Sequence, residues 1–121
     1  MSDSTFQVPE STLYRKVYDE LIAVQIESGE FYYFTPDSET FFEYFRDPRT
    51  LEQYFAAARL GPEAETERTQ VQNFCGFLVE NGLLVTRPEP ALLDEVQVEY
   101  ARPQFLRRGE QKLDEVAFLH V

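Results

Sequence analysis

The chain is poor in the residues on which most chemistry rests. One cysteine, one histidine, one methionine and no tryptophan occur in 121 residues. With Cys75 alone, no disulfide closes within the chain and no four-ligand zinc site of the usual kind is available; a lone thiol fits a reducing compartment. Basic residues are also scarce, 11 against 22 acidic, for a net charge of −11 and a pI near 4.4. A field of that sign repels phosphate backbones and anionic lipid, which argues against nucleic-acid and membrane-surface partners. No apolar run approaches the ~20 residues of a membrane span, and Met1 to Pro9 lacks the apolar stretch of a secretion signal. A cytoplasmic protein is expected.

Catalytic signatures are missing too. There is no Gly-rich phosphate loop, no Gly-x-Ser-x-Gly and no His/Cys ligand cluster. His120 sits one residue from the chain end, where an orienting partner for a base is seldom fixed, and reads as solvated tail. Cys75 falls on an apolar helical stripe and reads as a small buried hydrophobe. The acidic groups Asp19-Glu20, Glu63/Glu65/Glu67 and Asp94-Glu95 read as solvated faces, because an acid–base couple needs contrasting environments. No catalysis, no cofactor and no metal are expected.

What is present is aromatic: 11 Phe and 7 Tyr, in a chain 43% hydrophobic, which excludes wholesale disorder and suits one small domain. Residues 1–12, rich in Ser, Thr and charge, read as a loose arm. Leu13 to Val17 is a strand candidate, and Leu21 to Ile26 a stronger one with period-2 alternation. Ser28-Gly29 marks a turn, and Phe31-Tyr32-Tyr33-Phe34 completes a hairpin. A two-residue loop places Phe31 and Tyr33 with Ile22, Val24 and Ile26; a three-residue loop with a Gly bulge places Tyr32 and Phe34 there instead.

Three amphipathic helices follow. The first is capped by Asp37 or Ser38, runs to about Arg46 and points Phe41, Phe42 and Phe45 inward. The second opens on a capping box, Thr50-Leu-Glu-Gln53, and carries Leu51, Tyr54, Phe55 and Ala58. The third spans about Thr69 to Asn81, with Val71, Phe74, Cys75 and Leu78 as its stripe and Gly82 as its stop. Leu83-Leu84-Val85 is a short apolar exit or wing strand, and Arg87-Pro88-Glu89-Pro90 marks a boundary. The expected fold is α+β and winged helix-turn-helix-like: a hairpin or three-stranded sheet, three helices, and a C-terminal tail over 88–121.

Two functions compete for that fold. A DNA reader needs basic and amide side chains on its third helix, yet Glu63 to Asn81 holds one basic residue, Arg68, against four glutamates. The aromatic strand either packs on the helices or offers an edge to which an extended peptide adds as a further strand; periodicity leaves both open. A general protein-interaction adaptor is a further alternative.

A family resemblance weighs on the choice. Gly29-Glu-Phe-Tyr-Tyr-Phe34, Ser38-Glu-Thr-Phe-Phe running on to Asp47-Pro-Arg-Thr-Leu51, and Val71 through Phe77-Leu-Val-Glu-Asn-Gly-Leu-Leu84 together resemble the PqqD-like peptide-recognition domain, over about residues 13–87. Phe34-Thr35 stands where that family often has Leu-Asn. The Leu position is usually buried, which favours the register with Phe34 inward. The resemblance implies a non-enzymatic subunit that binds the leader of a ribosomally made precursor peptide and delivers it to a separate modifying enzyme: a radical enzyme, a leader protease, a cyclodehydratase or an iron-dependent oxidase. By position it places the peptide against Phe31, Tyr32, Tyr33 and Phe34 and against the flank of the third helix at Gln70, Asn73, Phe74 and Phe77. Gly76 is a costly residue mid-helix, ~1 kcal/mol against Ala; it permits close approach of another chain or relieves a crowded helix contact.

The tail carries a second resemblance. Tyr100-Ala-Arg-Pro103-Gln-Phe105-Leu-Arg-Arg-Gly109 is similar to the Tyr-x-x-Pro-x-Leu-x-x-x-Gly pattern of lasso-peptide leaders, with Phe105 for Leu and no Thr where a leader carries one. Three readings are open: the tail folds as a strand into its own groove, it reaches out to the partner enzyme, or the match is chance. The apolar ending Glu115 to Val121, with Phe118, favours a partner-docking tail presenting Tyr100, Pro103, Phe105 and Phe118.

Overall fold

The computed structural model describes residues 4–93 and 95–109. It is a mixed α+β fold with two antiparallel sheets and three helices. The strands β2 (Thr12–Val17), β3 (Glu20–Gln25) and β4 (Glu30–Phe34) form a meander, and a last strand, β7 (Phe105–Gly109), adds to β4, giving the order β2-β3-β4-β7. A smaller sheet has β1 (Thr5–Gln7) between β5 (Arg49–Thr50) and β6 (Val85–Arg87). The expected loose arm over 1–12 is thus corrected at Thr5–Gln7: Thr5 is buried, and the strand ties the segment after the first helix to the exit of the third.

The hairpin register also differs from the favoured expectation. Gln25 pairs with Glu30, leaving a four-residue loop, so Phe31 faces Val24 and Tyr33 faces Ile22. An even loop has the parity of the two-residue alternative. Phe34 is nonetheless in the main core, because the inward face of β3 is Leu21 and Ala23, not Ile22 and Val24. The outer face is covered as well: Ile22, Val24, Phe31 and Tyr33 form a second cluster with Leu13 and Val17.

The helices close the main core. Pro36 opens a 3-10 turn, Pro36–Ser38, that leads into α1 (Glu39–Tyr44), shorter than the run to Arg46 expected from sequence. Neither Asp37 nor Ser38 caps it through a side chain; Ser38 is fully buried and its hydroxyl is used elsewhere. The capping box is present at the start of α2 (Leu51–Ala57): the Gln53 amide donates to Thr50 Oγ1 at 3.0 Å and the Thr50 amide to Gln53 Oε1 at 2.8 Å. The third helix, α3 (Glu65–Glu80), begins four residues before Thr69, with Glu65 and Glu67 in a first turn whose exposed N–H groups favour negative charge. Val71, Phe74, Cys75 and Leu78 are its buried stripe. Gly82, at φ 72°, turns the chain out of it, and the Leu83 amide returns to the Leu78 carbonyl at 2.9 Å. No helix among the described residues is long and apolar enough to cross a membrane.

Candidate functional site: the β4 edge and its strand

β4 is lined by rings on both faces, and the margin it does not share with β3 is where an added strand finds backbone partners. β7 takes that place. Gly109 pairs with Phe31, Arg108 with Tyr32, Arg107 with Tyr33 and Phe105 with Phe34; the extra residue, Leu106, is a bulge between the last two pairs. The bulge reverses the alternation. Phe105 and Arg108 therefore share the helix-facing side, Arg107 and Gly109 the outer side, and Leu106 is exposed.

On the helix side Phe105 enters a pocket of three rings. Its centroid lies 4.5 Å from Phe77, 5.7 Å from Phe34 and 6.4 Å from Tyr32, distances at which aromatic pairs attract beyond simple burial. Two turns of the ladder away, the Tyr32 hydroxyl donates to the Glu30 carboxylate at 2.6 Å and lies 3.3 Å from Asn81 Oδ1. That Asn81 oxygen accepts from Arg108 Nη2 at 2.8 Å, and Asn81 Nδ2 donates to the Phe77 carbonyl at 2.8 Å. Arg108 also lies 3.6 Å from Glu30 and 5.2 Å over the Tyr32 ring. Burial, then the Glu30 hydrogen bond, pushes the Tyr32 phenol up to about 12.

On the outer side the Arg107 guanidinium lies 4.1 Å over the Tyr33 ring and forks onto Glu20, Nη2 to Oε1 at 3.0 Å and Nη1 to Oε2 closer still. This holds the Glu20 carboxyl below the usual carboxylate range. Gly109 is read by shape: a Cβ there overlaps the Tyr33 ring.

Upstream of the strand the chain is pinned at four more points. The Thr35 amide donates to the Gln104 carbonyl at 2.9 Å, and the Gln104 amide to Ser38 Oγ at 3.0 Å. Pro103, which has no amide to satisfy, is buried. Tyr100 packs half-buried on the core, and the Val98 amide donates to the Ala57 carbonyl at 2.9 Å.

The residues expected to contact peptide thus separate. Tyr32, Phe34 and Phe77 converge on Phe105. Phe31 and Tyr33 belong to the opposite face of the same strand. Phe74 is a core side chain against Phe34 and Phe41, at 5.6 and 5.2 Å, Gln70 is half-buried, and Asn73 is exposed on α3. A Cβ at Gly76 meets nothing within 4 Å, so no crowded helix contact explains that glycine. The tail expectation is corrected in part: Tyr100, Pro103 and Phe105 dock on this chain's own surface, while Phe118 and His120 lie outside the described residues. Glu20, Glu30, Ser38 and Asn81 were missed as site residues. The clue was charge, two arginines side by side in an acidic chain.

Cys75 is buried, and burial alone pushes its thiol up to about 12, which removes the nucleophilic thiolate at neutral pH. Among the described residues no group of three His, Cys, Asp or Glu side chains is placed to hold a metal. Comparison with protein-family models, with curated proteins and with solved structures finds no match to this chain.

Proposed function

We propose that this chain is a non-catalytic recognition subunit, built on a winged-helix-like module, that binds the leader of a ribosomally synthesised precursor peptide by strand addition and delivers it to a separate modifying enzyme. One observation carries the reading. The β4 margin accepts an extended segment as a further strand, with one aromatic side chain in the Tyr32–Phe34–Phe77 pocket and two arginines on flanking acceptors. Backbone pairing supplies affinity that tolerates sequence, and the pockets fix register. The resemblance to PqqD-like domains points to the same strand and helix. A DNA-binding regulator is less well supported. Arg68, the only basic residue from Glu63 to Asn81, donates to the Leu60 carbonyl at 2.9 Å and lies 4.7 Å over the Phe55 ring.

The test is an NMR titration of the full chain with a synthetic peptide copying residues 97–109, at concentrations up to millimolar, beside a scrambled peptide and a mixed-sequence duplex. The expected result is saturable shifts at Tyr32, Phe34, Phe77 and Asn81 with the first ligand alone. Shifts along α3 with duplex at modest salt, and none with peptide, would support the DNA reading instead.

A further inference from the structure

The strand that fills the β4 edge is attached to the chain it occupies. We infer that residues 98–109 are an exchangeable, built-in competitor for this edge, displaced in trans by extended peptides that present an aromatic residue, an adjacent basic pair and a following glycine in the same layout. This inference rests on the peptide-recognition reading.

Three observations separate the segment from the fold it covers. Among the described residues, the buried hydrophobic side chains all lie between Leu21 and Leu84. Residues 98–109 add only partly buried hydrophobic side chains to that core, with Pro103 the one buried residue among them. The segment leading to it is exposed at Pro88, Glu89, Pro90, Leu92, Leu93 and Val96, with the Ala91 amide tied to the Pro48 carbonyl at 2.8 Å. An element with few buried contacts opens at a small fraction of the cost of global unfolding. A short tether returns it at an effective concentration on the order of millimolar, which a peptide of equal intrinsic affinity must match in trans.

The segment also defines its rivals. It carries three arginines and one glutamate in a chain of net charge −11, and two of those arginines meet Glu20, Glu30 and Asn81. An acidic margin of this kind speeds the arrival of basic peptides in a salt-dependent way. Gly109 is the sharpest filter, since any side chain there must move the Tyr33 ring, and that ring supports Arg107.

The experiment measures fluorescence anisotropy of a fluorescein-labelled peptide copying residues 97–109, with the full-length chain and its Gly109→Val variant as receptors. Losing the internal competitor should tighten binding to the variant at least about tenfold. The same peptide carrying G109V should bind neither receptor. Equal, measurable affinity for both receptors overturns the competitor and leaves peptide recognition standing. Binding to neither, with native circular dichroism, overturns both. Should the Gly109→Val chain fail to fold, the double variant Arg107→Glu/Arg108→Glu, which removes the exposed partners of Glu20 and Glu30 and leaves every buried side chain in place, is held to the same outcomes.

Discussion

The main core and the docked tail are both aromatic, yet they are built on different terms. In the core Phe34 is fully buried and touches Phe42, Phe74 and Phe77 with ring centroids 5.4–6.5 Å apart. In the tail Phe105 is half-buried, and its strand leans on charge pairs at exposed side chains. Close packing with no way out makes a permanent interior, whereas partly buried rings, a ladder and solvated charges make a contact that opens. Phe34 is a fixed wall of the pocket and Phe105 its removable occupant, on the paired strands β4 and β7.

Substitution of the two rings should break the comparison most visibly. Phe34→Ala empties a fully enclosed site and is expected to cost about 3–5 kcal/mol in denaturant unfolding, a large share of a small domain's stability. Phe105→Ala should cost about 1–2 kcal/mol, the worth of a partly buried ring. It should appear first as loss of amide protection in β7, with the unfolding midpoint shifted by less than half as much as for Phe34→Ala. Equal effects at the two positions would make the tail part of the interior.

Acid should loosen the tail through Glu20, the carboxylate that Arg107 grips. Arg107 depresses the Glu20 pKa in the docked state, so the stabilisation is complete above the ordinary glutamate range and is lost as pH falls through the lowered value. Glu20→Gln should mimic the acid form, weakening docking by about 0.2–1 kcal/mol, the range for exposed pairs. NMR shifts of the Arg107 and Arg108 side chains, followed from neutral pH downward, check this; a flat response in both the parent chain and Glu20→Gln would contradict it. The smallest expected effect is at Cys75. Its reaction with a thiol reagent should be slow at neutral pH and unchanged by Phe105→Ala, because the thiol reports the core. Acceleration by the tail variant would couple the two regions.

Local chemistry was legible in the sequence. The Thr50–Gln53 box, the α3 stripe and the hairpin all rest on short-range patterns, and each is present. Register was not legible. Leu21 to Val24 and Phe31 to Phe34 are apolar on both faces, so no polar residue marks the solvent side, and both faces prove to be covered. β1 escaped notice because three residues, Thr-Phe-Gln, gain strand character only from partners more than 40 residues away. The cap expected at Ser38 failed because that hydroxyl accepts the Gln104 amide, from a residue 66 positions away. The lasso-leader spacing from Tyr100 to Gly109 was visible, but whether it turned inward depended on the Tyr32–Phe34–Phe77 pocket, which exists only once β4 and α3 are assembled.

Whether β7 opens while the core stays closed can be read from amide hydrogen exchange of the full chain, residue by residue, in β7 and in β3. The amides of Leu106 to Arg108 that pair with β4 should exchange at least about a hundredfold faster than those of Leu21 to Val24, through a local opening that excess 97–109 peptide does not slow. Matching protection in the two strands, lost together in one global transition, would contradict it.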